Sequence, residues 1–323
     1  MPHAPQVLLI GAMGYIGSRL LTHLRAAGRS VTPMDRAAAP GSGILAMDCR
    51  ALTRSDLARF GTVVWLAGHS SVKLAMAEPA DAFENNVSGL LRLAQQLTPR
   101  QRLIYASSAS LYSGNDSPSH VITEDVIGFQ YQNAYDLSKY AFDKLISTLN
   151  IDYCGLRFGT VCGTSDRQRH ELLLNSMVRS AVTTGQVNVS NPQARRSVLA
   201  MNDLVATIDR MLDVVPDAGF YNLASYSMGI GEFGDAVARQ LGARVVEMPG
   251  TGTYNFSVES TRLCTALGRP LQTSLPDLID ELTAFYEADI QSDSKDLIKD
   301  DTCKTFQAPK TPAWHAAPAI LST

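Results

Sequence analysis

The stretch "VLLIGAMGYIGSRL" constrains this chain more than any other. A continuous apolar run reaches Gly11, Gly14 and Gly17 and then passes directly into a helix-like sequence. Glycine permits the tight turn, the close approach of backbone to a pyrophosphate, and close helix–strand contact. The helix starting there turns unpaired N–H groups and the positive end of its dipole toward the phosphates. With 23 glycines in the chain, a random G-x-x-G-x-x-G is expected roughly 0.1 times. The alternative, a merely tight strand–helix turn, needs no such triplet.

Apolar runs then recur with helical stretches between them. "SVTPMD" follows the first helix, "TVVWLAG" precedes "DAFENNVSGLLRLAQQL", and "QRLIYASS" and "DYCGLRFGTV" flank "AYDLSKYAFDKLISTLN". Continuous rather than alternating apolar runs fit strands covered on both faces, so the spacing predicts an α/β fold with a doubly wound parallel sheet. Residues 1–163 form this dinucleotide-binding domain. After Gly163 the rhythm loosens into a smaller mixed α/β substrate region over 164–288. There "SDRQRHELLLNSMVRSAVTTG" reads as loop and helix, and "QVNVS" as a strand. Segments at about 197–225 return to the first domain through a helix capped by Asn202 or Asp203 and the strand "GFYNLAS". Residues 289–323 are polar, proline-dotted and aperiodic, which fits disorder or an arm docked on a neighbouring subunit.

Composition excludes other classes. A net charge of −3 argues against nucleic acid as a partner, since backbone phosphates need a basic surface. No apolar run approaches the ~20 residues of a membrane span. The start "MPHAPQVLLIGAMG" lacks the basic segment of a signal peptide. Five scattered cysteines without C-x-x-C spacing read as reduced thiols, and six dispersed histidines give no metal site. Together these predict a cytoplasmic protein.

The second strand ends in Asp35, 18 residues after Gly17. A carboxylate there accepts from both adenosine ribose hydroxyls and repels a 2′-phosphate, which favours NAD over NADP. Arg36 is the competing feature, because a guanidinium could hold that phosphate. Asp48 is placed either to reach the adenine or to cap a turn. In "NAYDLSKYAFDKL", Tyr135 and Lys139 share one helix face a turn apart. Composition alone yields roughly a quarter of one such pair, so the spacing needs a context.

That context is a resemblance. "GAMGYIG", "LAGHSSV", "NNVSGLLRL", "YASSASLYSG", "YDLSK" and "LRFGTVCG" occur in order, and from residue 6 to about 288 the chain resembles the extended short-chain dehydrogenase/reductase family, its NAD-dependent epimerase/dehydratase group. The resemblance implies a Rossmann domain with Tyr135 as general acid/base and Lys139 binding the nicotinamide ribose while lowering the phenol pKa. It implies that Ser108 hydrogen-bonds the reacting sugar oxygen. Cofactor contacts then fall to Gly11, Gly14, Tyr15, Ile16, Gly17, Asp35, Arg36, Asp48, Cys49, Leu66, Ala67, Gly68, Asn86, Ser107 and Phe158, besides Tyr135 and Lys139. Phe158 is equally a plain core aromatic.

On the substrate side the resemblance assigns Ser108, Ser110, Thr160, Asn175 and Arg196, with Asn175 and Arg196 on a nucleotide-sugar pyrophosphate. The alternatives are a helix cap for Asn175 and a solvated pair for Arg195 and Arg196. Family dehydratases carry Asp-Glu after the serine, and related decarboxylases carry Glu. Ala109 and Ser110 cannot act as carboxylic acids, and "SSAS" is most similar to the nucleotide-sugar 4-epimerase pattern. Ser113, Cys162 and the residues after Arg196 depart from the family pattern around the substrate loop, leaving open a non-standard sugar or a substrate that is not a sugar nucleotide. The expected activity is NAD-dependent epimerisation of a nucleotide sugar through a keto intermediate. The alternatives are an NAD(P)-dependent ketoreductase or a non-catalytic dinucleotide-binding protein. The family commonly forms homodimers through the helix after "LAGHSSV" and the one carrying "YDLSK", and both have apolar positions for an outer seam.

Overall fold

The computed structural model describes residues 6–113, 122–125, 133–250 and 252–300. In chain order the elements of the first part are β1 (Gln6–Ile10), α1 (Tyr15–Ala26), β2 (Val31–Asp35), β3 (Leu45–Ala46) and β4 (Phe60–Trp65). Next come α2 (Val72–Ala77), α3 (Pro79–Phe83), a π-helical turn Glu84–Ser88, α4 (Gly89–Ala94), β5 (Arg102–Ser108), α5 (Ala134–Ile146) and β6 (Asp152–Phe158). The second part holds β7 (Thr160–Cys162), α6 (Leu173–Thr184), β8 (Gln186–Ser190), β9 (Arg195–Ala200), α7 (Met201–Met211) and β10 (Gly219–Leu223). It ends with β11 (Tyr226–Gly229), α8 (Ile230–Leu241), β12 (Arg244–Met248), α9 (Thr261–Leu267) and α10 (Leu275–Asp300).

Seven parallel strands form the main sheet in the order β10-β6-β5-β4-β1-β2-β3. Strand side chains alternate between faces, so an unbroken apolar run must be covered twice. β1 does this: Val7 and Leu9 join Leu20, Leu24, Leu204 and Ile208 of α1 and α7 on one face. Leu8 and Ile10 meet Leu90, Leu93, Phe142 and Ile146 of α4 and α5 on the other. Strand order reverses between β1 and β4, and ligands of such sheets bind in the crevice at the carboxyl ends of the strands there.

The smaller region is built from two sheets, β11-β9-β7 and β12-β8. Its core joins α6, α8 and the first turns of α10 through Leu174, Val178, Phe233, Leu278, Leu282 and Tyr286. Three expectations change. The return to the main sheet is carried by α7 and β10, whereas β9 belongs to the small three-stranded sheet. Neither Asn202 nor Asp203 caps α7, whose N-cap is Ala200 without a side-chain bond. Asp203 instead accepts from the backbone N–H groups of Gln272 and Thr273 and from the Ser225 hydroxyl. Finally, α10 runs on to Asp300, so 289–300 continue a helix rather than an aperiodic tail. That stretch has no apolar period to reveal a helix, and it extends one whose first turns are packed. Residues 301–323, including the rest of the expected tail, lie outside the described residues.

Candidate active site

The glycine turn shows three different reasons for glycine. Gly11 has φ +86°, and a Cβ there would sit 2.6 Å from the Ala67 nitrogen. A Cβ on Gly17 would lie 1.9 Å from the Gly11 oxygen. These two are demanded by the fold itself. Gly14 is not: its Cβ would meet the Gly11 oxygen at 3.4 Å, an ordinary contact. It is the N-cap of α1, with no side-chain cap bond and no acidic residue in the first turn. Its missing side chain opens the positive end of the helix to the crevice, which is the requirement of a phosphate ligand.

That crevice has a cavity volume of about 400 Å3 and is lined by Gly11, Gly14, Tyr15, Ile16, Gly17, Asp35, Arg36, Asp48, Cys49, Leu66, Ala67 and Gly68. All were expected from the sequence. Met47, Arg50, His69, Ser70 and Arg169 also line it; His69 and Ser70 lie in the "LAGHSSV" motif, and no sequence pattern marked the other three. The Asp35 carboxylate accepts from the N–H groups of Met13 and Ala37, each at 3.0 Å, which fixes it at the mouth. Asp48 caps a short 3-10 turn and is paired with Arg50, which holds its carboxyl down at about 2. It therefore fills the capping role while also lining the crevice. Although Tyr15 borders the opening, its hydroxyl turns away and donates to the Gly163 carbonyl at 2.8 Å.

Asn86 is buried behind the wall rather than exposed in it. Its Oδ1 accepts from the His69 N–H at 2.9 Å, and its Nδ2 donates to the His69 carbonyl and to Ser138 Oγ. Gly68, at φ +126°, leaves room for this clamp, since a Cβ there would meet Asn86 Oδ1 at 2.2 Å. Asn86 thus ties the loop after β4 to α5.

One strand beyond, Ser108 ends β5, while Tyr135 and Lys139 lie in the first turns of α5. The ammonium of Lys139 is 5.8 Å from the Tyr135 ring centroid and donates to the Ala106 carbonyl at 2.8 Å. Burial pushes this lysine down to about 8, against the pull of Asp143. Burial raises the Tyr135 phenol, and Asp136 adds to that, while a hydrogen bond with Ser108 and the charge of Arg169 oppose it. The expected lowering of the phenol by Lys139 is therefore not achieved by the protein alone: desolvation outweighs the contributions of Ser108 and Arg169.

Two buried carboxylates support this trio, and neither was singled out from the sequence. Asp143 sits one turn after Lys139 on the same face, which the i+4 spacing could have signalled. It accepts from Tyr105 at 2.7 Å, from Ser107 at 3.0 Å and from Arg157 Nε at 3.0 Å. Ser107 is thereby corrected: its hydroxyl is committed to Asp143 beneath the sheet rather than to a ligand. Asp136, beside Tyr135, is 1% exposed and accepts from Ser110 at 2.6 Å. Ser110 in turn lies 2.8 Å from the Ser108 hydroxyl.

The substrate-side expectations divide. Asn175 is fully buried in the first turn of α6. Its Oδ1 accepts from the Gly163 N–H, and its Nδ2 donates to the Tyr15 hydroxyl and to the Arg169 carbonyl. The helix cap is Leu172 rather than Asn175. Its amide is spent joining the two regions. Phe158 is buried in the main core. Thr160 opens β7 opposite Val198. Arg195 and Arg196 are not a solvated pair. Arg195 is held by Ser257 and the Ser227 carbonyl. The Arg196 guanidinium lies over the rings of Tyr254 and Phe256, 5.2 and 5.8 Å from their centroids. Its Nε and Nη1 are buried without a hydrogen-bond partner among the described residues. Burial lowers its pKa. A desolvated guanidinium lacking an anion is a ready anion receptor.

Comparison with known proteins gives this geometry a family. The chain is 28% identical over 184 residues to UDP-glucuronate 4-epimerase 1 of Arabidopsis thaliana, an alignment covering 49% of this chain and 42% of that protein. The chain thus spans less than half the length of that curated relative. Among solved structures it resembles MoeE5 in complex with UDP-glucuronic acid and NAD, with a TM-score of 0.75 and 23% identity over 88% of this chain and 99% of the other. It is also similar to TunA, an NAD-dependent NDP-hexosamine 5,6-dehydratase, with a TM-score of 0.73 and 20% identity over 88% and 98%. These two likenesses show a shared fold. The model of the "NAD dependent epimerase/dehydratase family" matches residues 7–224, two thirds of the sequence, and the chain belongs to that family.

Proposed function

We propose that the protein is an enzyme that epimerises a nucleotide-activated sugar with NAD through a transient keto intermediate. The carrying observation is the gathering of Ser108, Tyr135 and Lys139 at the carboxyl edge of the sheet, one strand beyond a crevice opened by Gly14. A module that only bound the dinucleotide would need the crevice and not the acid–base set. NAD fits the residues present: Gly14 and the α1 N-terminus for the pyrophosphate, Asp35 for the adenosine ribose, Lys139 for the other ribose. When bound, it takes a hydride from the sugar and gives one back.

The chain's own groups do the rest. Tyr135 takes the proton from the reacting hydroxyl and returns it, and Ser108 holds that oxygen in line. Arg196, desolvated and without an anion, receives the sugar nucleotide's phosphates. Ala109 and Ser110 supply no carboxylic acid beside the reacting carbon, which favours epimerisation over dehydration. A ketoreductase acting on a nucleotide-linked keto sugar or another small carbonyl compound is the second reading; its support is Arg36, exposed at the crevice mouth, where it could hold a 2′-phosphate.

The enzyme works as a homodimer. Of the two expected interface elements, α5 leaves Leu145 37% exposed, and the exposed Leu74 and Met76 of α2, at 53% and 56%, lie just before the other, residues 82–97. No helix among the described residues is long and apolar enough to cross a membrane, and the four described cysteines are free thiols. These features support a cytoplasmic setting.

The test is a panel of nucleotide sugars, including UDP-glucose and UDP-glucuronic acid, followed by NMR and mass spectrometry. Inversion without NADH release supports the proposal. Net oxidation or reduction with cofactor exchange moves the assignment to the ketoreductase. Tyr135→Phe should lower turnover on the order of 10²–10⁴-fold while dinucleotide binding survives; unchanged turnover would remove the catalytic assignment.

A further inference from the structure

Arg196 is a desolvated cation whose Nε and Nη1 have no hydrogen-bond partner among the described residues. The groups that offset its desolvation are Tyr254 first and Cys162 second, neither of them a carboxylate. The rings of Tyr254 and Phe256 lie under the guanidinium, their centroids 5.2 and 5.8 Å from it. A ring face attracts a guanidinium without occupying its N–H groups.

The far end of the Tyr254 ring completes the balance. The backbone N–H of Asp136 donates to Asn133 Oδ1 at 3.0 Å, which fixes the orientation of that amide. Asn133 Nδ2 therefore donates to the Tyr254 hydroxyl at 2.7 Å. A phenol has one proton, and Tyr254 sends it to Asp136, 3.0 Å from Oδ2 and 3.1 Å from Oδ1. Asp136 is 1% exposed, and its other side-chain donors are Ser110 Oγ at 2.6 Å and Asn133 Nδ2 at 2.8 Å. Burial raises this carboxyl and the three donors oppose it. Every neighbour donates, which is the pattern of a carboxylate. Carboxylate, phenol and guanidinium thus stand in one line. A phenol that donates to a carboxylate is polarised toward its ring, and the ring then holds a cation on its face more strongly.

We propose that Tyr254 and Asp136 act as a relayed counter-ion for Arg196, keeping the guanidinium charged and in place while leaving its Nε and Nη1 for a diphosphate. A carboxylate in direct contact would take those same N–H groups in a bidentate pair, and the ligand would have to displace it. The relay avoids that competition. It also ties Arg196 on β9 to the cap of α5, two residues before Tyr135. Tyr254 and Asp136 are positioning residues that touch no reacting atom. The inference rests on the reading of Arg196 given above.

The test titrates inorganic pyrophosphate by calorimetry into NAD-saturated wild type, Arg196→Gln, Tyr254→Leu, Tyr254→Phe and Asp136→Asn. Wild type should bind it, and Arg196→Gln should lose on the order of 10–10²-fold in affinity. Tyr254→Leu removes the ring and should lose about 10-fold, the scale of a desolvated cation–π contact. Tyr254→Phe and Asp136→Asn keep a ring under the guanidinium and break only the relay, so each should lose roughly 2–5-fold. The same ranking should appear in KM for the best nucleotide sugar, with NAD affinity held and kcat held in the two Tyr254 variants. In an Arg196→Gln background, Tyr254→Leu should leave that KM where Arg196→Gln put it, because the two residues act as one unit. Tyr254→Phe with wild-type affinity, a Tyr254→Leu loss that persists in full in the Arg196→Gln background, or a fall confined to kcat overturns the proposal. Should Asp136→Asn fail to fold, Tyr254→Phe decides by the same criteria. A wild type that ignores pyrophosphate, or Arg196→Gln with wild-type affinity, would instead strike the phosphate reading of Arg196 itself.

Discussion

Separating Gly14 from Gly17 tests whether the crevice is built for a ligand or is only a tight turn. In Gly17→Ala the new methyl would sit 1.9 Å from the Gly11 oxygen and 2.8 Å from its carbonyl carbon, both backbone atoms. Relief requires moving the turn away from α1 by more than 1 Å of the ordinary contact distance. Overpacking of this kind costs about 2–3 kcal/mol, beyond the roughly 0.5–1 kcal/mol that alanine gains over glycine inside a helix. For a chain of this size the melting temperature should drop by roughly 4–12 °C. In Gly14→Ala the nearest atom is at 3.4 Å, and the residue has φ −75° and ψ 172°, which alanine adopts freely. Stability should change by less than about 1 kcal/mol, the scale of an N-cap exchange. Dinucleotide affinity should fall about 10–100-fold, because the methyl blocks one charge-assisted N–H bond to the pyrophosphate worth about 1.5–3 kcal/mol. Thermal melting without ligand and calorimetric titration with NAD separate the two effects. A Gly14→Ala protein that binds NAD like wild type would refute the ligand reading of the turn. A Gly17→Ala protein that melts like wild type would refute the steric one.

Other consequences can be measured directly. Calorimetry should show tighter binding of NAD than of NADP, with Asp35→Ala narrowing the gap; a preference for NADP would promote Arg36 to phosphate ligand. Lys139 is pushed down to about 8 from its ordinary 10.5. Between those values the unfolded chain binds the extra proton, so wild-type stability should rise with pH across that window. Lys139→Met should lack this rise and lose dinucleotide affinity and turnover together; parallel melting curves against pH would contradict the buried, charged lysine. Asp143→Ala leaves the fully buried Arg157 without its carboxylate and should destabilise by about 3–5 kcal/mol, seen as a large fall in melting temperature or loss of soluble protein. Sedimentation at micromolar concentration should give a dimer, and a monomer alone would exclude an interface built on residues 82–97 and α5.

Local signals made much of this protein legible in advance. The strand–glycine–helix turn, the unbroken apolar runs of a sheet covered on both faces, and the four-residue spacing of Tyr135 and Lys139 are each set by neighbours along the chain. So is the step from β5 into Ser108. Backbone sterics and side-chain period fix such features before any distant contact forms. Other decisions needed the folded chain. Asn175 lies in a helix start as expected, yet only the meeting of the two regions shows its amide spent on Gly163, Tyr15 and Arg169. Ser107 and Ser108 are adjacent and chemically identical, and only the family resemblance tells them apart in the sequence. Strand alternation sends one hydroxyl down to Asp143 and leaves the other at the edge beside Tyr135. Arg195 and Arg196 differ for the same reason: successive β9 residues face opposite sides, so one finds Ser257 and the other lies over Tyr254 with no anionic partner among the described residues. Asp136 reads as a polar residue near a helix start, and its neutral donors come from the turn after β5 (Ser110), the cap of α5 (Asn133) and the segment carrying Tyr254, distant in the chain apart from the cap. Burial and hydrogen-bond partnership are properties of the assembled core, and the sequence specifies them only through the fold.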